Sequence, residues 1–86
     1  MTRDEALDAI AYGEACAEVL RSRPWKAIAH RKGQIARAML AGQNDATRLS
    51  LLRAQFDELA AVQRMLKSGI AEGEVASAML ATENDG

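Results

Sequence analysis

The 86-residue sequence is poor in residues that do chemistry. It holds one cysteine (Cys16), one histidine (His30), one proline (Pro24) and three aromatic side chains, Tyr12, Trp25 and Phe56. A single cysteine excludes an internal disulfide and fits a reducing compartment. Cys16 itself reads as a small buried apolar residue, the usual fate of a free cysteine. One His and one Cys on different predicted helices fall short of a zinc ligand set. A Cys16–His30 nucleophilic pair has no reactive-cysteine signature around it. Gly-rich phosphate loops, Walker motifs and the GxSxG elbow are all missing. Asp57 and Glu58 are adjacent on a predicted helix, so they diverge by about 100° and do not share a substrate. The expectation is a protein that is not an enzyme, with no catalytic residue, no cofactor and no metal.

Long apolar runs are missing too. No stretch approaches the ~20 residues that a membrane span requires, and the opening Met1-Thr-Arg-Asp-Glu5 is too acidic for a signal peptide. The sequence therefore predicts a protein made in the cytoplasm, with no membrane partner. Runs of Val, Ile, Thr or Tyr that alternate with polar residues are also lacking, which removes strands.

What is present is helical. The chain is 49% hydrophobic, mostly alanine and leucine set among Glu, Arg and Gln, residues that lose little rotamer freedom in a helix. The net charge of −1 hides a segregation. Residues 1–20 carry Asp4, Glu5, Asp8, Glu14 and Glu18 against Arg3 alone, whereas residues 21–43 carry six bases and no acid. Residues 71–86 carry Glu72, Glu74, Glu83 and Asp85 with no base. Such a layout allows attraction within the chain or offers a basic surface to something else.

Thr2 and Glu5 form a capping box that opens a first helix, about 3–21. Gly13 inside it costs up to ~1 kcal/mol relative to alanine, and so marks a close approach of another backbone. Pro24 restarts the chain as a second helix, about 24–41, with Gly42 as its stop. Asn44 or Asp45 then caps a third helix, about 46–68, with Gly69 in the position after its C-terminus and Ile70 folding back on Met65. The remaining glycines likewise read as helix punctuation. Two long helices joined by a short turn lie antiparallel. The predicted fold is therefore all-α: a hairpin (24–68), an N-terminal helix, and a weakly helical acidic tail (71–86) that frays at Glu83–Gly86, in one domain.

Three constellations stand out. Trp25, Ile28, Ile35 and Met39 face Leu49, Leu52, Phe56, Leu59 and Leu66 along a heptad-like seam, with Gln63 filling one gap. Opposite that seam, Arg23, Lys26, His30 and Arg37 form a basic stripe that Arg31 widens, while Lys32 sits on the apolar side and must snorkel. The stripe is either a solvated or acid-paired face or a surface that neutralises phosphates without reading bases. Leu51, Val62 and Met65 lie outside the seam, and one hairpin partner does not cover both sides of a helix. Either the first helix folds over this second strip or another chain does.

The stretch from Leu20 to Gly73 contains LRSRPWK (20–26), AMLA (38–41), LLRAQFDEL (51–59) and MLK (65–67). It resembles small helical-hairpin proteins encoded among the packaging and head genes of tailed bacteriophages. In that family a Trp opens the first arm, a short polar turn follows, and an Arg-containing second arm ends in a hydrophobic pair. The resemblance covers about three-fifths of the chain, leaves out the acidic N-terminal helix, and brings no catalytic residues. It implies a structural or assembly role, in the virion or during head assembly, with Trp25 and the seam as anchors. The expected partners are other protein chains, either further copies or a larger assembly, with nucleic acid as the alternative.

Overall fold

A computed structural model describes residues 1–85 of the chain, with side chains as far as Glu83. These residues form three helices and no strand: α1 (Arg3–Arg21), α2 (Arg23–Leu40) and α3 (Ala46–Asp85). The all-α class, the α2–α3 hairpin and the extra N-terminal helix are those the sequence predicts.

Local chemistry sets the helix starts. The Thr2 hydroxyl accepts from the Glu5 amide at 3.1 Å, and the acids of the first turn suit the positive end of the helix dipole. Between α1 and α2 the break is a single residue. The Ser22 hydroxyl donates to the Val19 carbonyl at 2.6 Å and accepts from the Trp25 amide at 3.3 Å, closing one helix and opening the next. At the hairpin turn the two candidate caps divide the work. Asp45 accepts from the Arg48 amide at 2.7 Å and starts α3, while the Asn44 side chain donates to the carbonyls of Ala38 and Ala41 and closes α2.

The third helix does not stop at Gly69. It runs without interruption through Gly69 and Gly73 to Asp85, so the segment 71–85 is helix and not a weakly ordered tail. A terminating glycine adopts a left-handed conformation, but no glycine among the described residues has positive φ. Gly69 is instead buried against α1, where a Cβ would meet Cys16 Sγ and Tyr12 Cε1 at 2.7 Å. Ile70 does not fold back on Met65; it packs against a cluster of Cys16, Trp25 and Leu66. The predicted fraying at Glu83–Gly86 is absent as far as Asp85, and Gly86 lies outside the described residues.

At 40 residues, α3 is about 60 Å long. The two shorter helices lie end to end along it, both antiparallel. In α2, Lys32 meets Gln63 while Trp25 clusters with Leu66. In α1, Cys16 meets Gly69 while Ala9 meets Gly73. The resulting rod measures 62 × 24 × 16 Å. Its width holds two helices and its thickness little more than one. All three helices meet only at the middle, around Cys16, Trp25 and Leu66. The other buried apolar residues, Ala6, Ile35, Leu52 and Ala76, are spread along the length.

Candidate functional site

The α2–α3 seam holds most of the residues assigned to it. Trp25, Ile35, Leu52 and Leu66 are buried, Met39, Phe56 and Leu59 half-buried, and Ile28 and Leu49 sit exposed at its rim. Lys32 is half-buried on the apolar side. Its ammonium donates to Gln63 Oε1 at 3.1 Å and lies 5.0 Å from the centre of the Phe56 ring. The one polar gap in the heptad series is thus filled by a hydrogen bond with a cation–π contact beside it, which fixes the register of the hairpin.

The α1–α3 contact has a different composition: Gly13 marks the close backbone approach that the sequence predicts, while the part played by Gly69 and Gly73 is not anticipated there. Small residues (Ala6, Ala9, Gly13 and Cys16 on α1; Gly69, Gly73 and Ala76 on α3) let the two backbones touch. A Cβ on Gly13 would stand 3.0 Å from the Gly69 carbonyl oxygen, and one on Gly73 would stand 3.1 Å from that of Ala9. The signal in the sequence is the four-residue spacing of Gly69 and Gly73, which places both on one helix face. Tyr12 covers Gly69 from the side and stays half exposed. Cys16 beside it raises the Tyr12 phenol above its ordinary pKa, and partial burial and the Glu72 carboxylate act in the same direction.

Every member of the basic stripe, Arg23, Lys26, His30, Arg31 and Arg37, is exposed on α2. Because α1 and α2 lie end to end along α3, the acids of α1 lie along the far half of the rod and not beside the stripe. Among the described residues no group of three or more His, Cys, Asp or Glu is placed to hold a metal ion. None of the described helices is long and apolar enough to cross a membrane.

Leu51, Val62 and Met65 are 60%, 38% and 56% exposed. They belong to a second heptad-spaced series on α3 that runs Leu51, Gln55, Glu58, Val62, Met65, Gly69, Glu72, Ala76 and Met79. Under α1 this series is partly covered, since Gly69 and Ala76 are buried. Beyond the end of α1 it is open. The first helix does not fold over the strip of Leu51, Val62 and Met65; it lies further along α3.

Compared with family models, curated proteins and solved structures, the chain matches none. Two surfaces are offered to solvent: an apolar strip on α3 and a basic stripe on α2. Between them, Arg31, Ile35, Gln55, Glu58 and Leu59 line a shallow groove where the two helices meet.

Proposed function

We propose that this protein is a non-catalytic assembly component that acts through helix-to-helix contact, by self-association or by docking on a larger partner, in the head or virion of a tailed bacteriophage. The observation that carries the reading is the uncovered strip of Leu51, Val62 and Met65 on a rod one helix thick. Domains normally close a core between two packed layers, and a chain of this length gains stability by adding one from outside. The resemblance of residues 20–73 to phage hairpin proteins supplies the setting. Portal, terminase or capsid genes beside its own would support that setting, and their absence would count against it.

Light scattering across a concentration series tests the mode of action. Mass that grows with concentration supports self-association. A monomer throughout leaves docking on a different protein as the only form of the reading.

A second reading has its own observation. The basic stripe is exposed along its whole length and is not faced by the acids of α1, so it is free to meet a phosphate backbone. We rank it second because the acidic half of the same rod repels a polyanion.

A further inference from the structure

We infer that the face of the rod bearing Leu51, Val62 and Met65 is covered by the same face of a second copy of this chain, lying antiparallel about a two-fold axis at Met65. The inference rests on the assembly reading above and names its partner.

The surface area comes first. A compact monomer of 9.3 kDa should expose about 5,000 Å²; this chain exposes 6409 Å². Its radius of gyration is 18.2 Å, where a compact chain of this length has about 12 Å. The excess area, roughly 1,400 Å², falls within what one subunit of an obligate homodimer buries. The broad face of the rod, 62 by 24 Å, has a footprint of about 1,500 Å², also in that range. Only a partner overlapping the full length covers it.

Charge then sets the direction. The half of the rod formed by residues 1–21 and 67–85 carries nine acids and three bases, net −6, while residues 22–66 carry eight bases and three acids, net +5. Stacking two rods in parallel lays acid on acid and base on base. Stacking them antiparallel lays α1 of each on α2 of the other, joining opposite charges. Closed symmetry requires a self-complementary surface, and the exposed apolar residues Leu51, Val62, Met65 and Met79 provide one, although an axis at Met65 also sets Glu58 opposite Glu72 of the second copy. An axis at Met65, near the midpoint of α3, pairs that residue with its own copy. It sets Leu51 against Met79 of the second copy, and Met79 is itself 39% exposed.

Sedimentation equilibrium on the full chain tests this with two variants. The wild type should sediment at twice 9.3 kDa. Met65→Glu places two carboxylates together at the axis, so its dimer dissociation constant should rise by roughly a hundredfold or more. Its helical circular dichroism should stay at the wild-type level, because Met65 is exposed in the single chain. Leu40→Glu, at an 87% exposed residue at the hairpin end, should still dimerise. A wild type that is monomeric and helical at every concentration would overturn the inference, and would leave the assembly reading only as docking on another protein. A dimer that tolerates Met65→Glu would overturn the proposed face while leaving self-association in place.

Discussion

Gly13 and Gly73 bring α1 and α3 into backbone contact: a Cβ added to either would lie 3.3 Å from the other's Cα. This contact, together with the apolar cluster of Cys16, Leu20, Trp25, Leu66 and Ile70, holds the N-terminal helix. It also explains why a 40-residue helix keeps two glycines in its second half. Each lowers helix propensity, and each permits an approach that alanine would block.

The same substitution should therefore have opposite signs at two sites. Gly13→Ala gains helix propensity but drives a methyl against the Gly69 carbonyl oxygen, 3.0 Å away and part of the backbone. It should destabilise by about 1–3 kcal/mol, as overpacking does. Gly33→Ala, with nothing within 4 Å of the added Cβ, should stabilise by about 0.5–1 kcal/mol. Urea denaturation followed by circular dichroism reads both. If Gly13→Ala proved stabilising, the α1–α3 contact would be looser than described.

The hairpin seam should show graded costs. Trp25→Ala removes a buried ring from the point where all three helices meet and should cost about 3–5 kcal/mol. Phe56 is only half-buried, so Phe56→Ala should cost less, about 1–3 kcal/mol. Thermal melts of the two variants would check the order. Equal losses would place Phe56 deeper than the seam described here.

The sequence conveys the hairpin well because its signals are local. Pro24, Ser22, Asn44 and Asp45 mark helix ends by their own hydrogen-bonding chemistry, and the leucines of the third helix repeat at threes and fours. Lys32 opposite Gln63 was half legible, since both interrupt an apolar series. The path of α3 past Gly69 was not legible. A glycine after a hydrophobic run looks like a helix end unless a distant segment needs its missing side chain, and here that segment is α1, more than fifty residues earlier. The open strip of Leu51, Val62 and Met65 was visible as surplus apolar residues. Where α1 actually lies depended on the small residues Ala6, Ala9 and Gly13, which carry almost no hydrophobic signal.

The exposed stripe on α2 decides between the two functional readings. If Arg23, Lys26, Arg31 and Arg37 contacted phosphates, duplex DNA would bind with a log–log salt slope of about −3 to −4. The assembly reading expects negligible binding near physiological salt. Fluorescence anisotropy with a short labelled duplex measures this directly. Micromolar affinity in ~150 mM salt, lost when all four residues are exchanged for Gln, would make DNA contact the primary role.

Disulfide trapping in a Cys16→Ala background reads out whether an antiparallel copy completes this thin rod. A disulfide forms only where Cα atoms come within about 7 Å. Chains carrying Leu51→Cys should not cross-link to one another on mild oxidation, yet should cross-link when mixed with chains carrying Met79→Cys. Self-linking of the Leu51→Cys chain, with no product in the mixture, would mean parallel rods and would overturn the antiparallel arrangement.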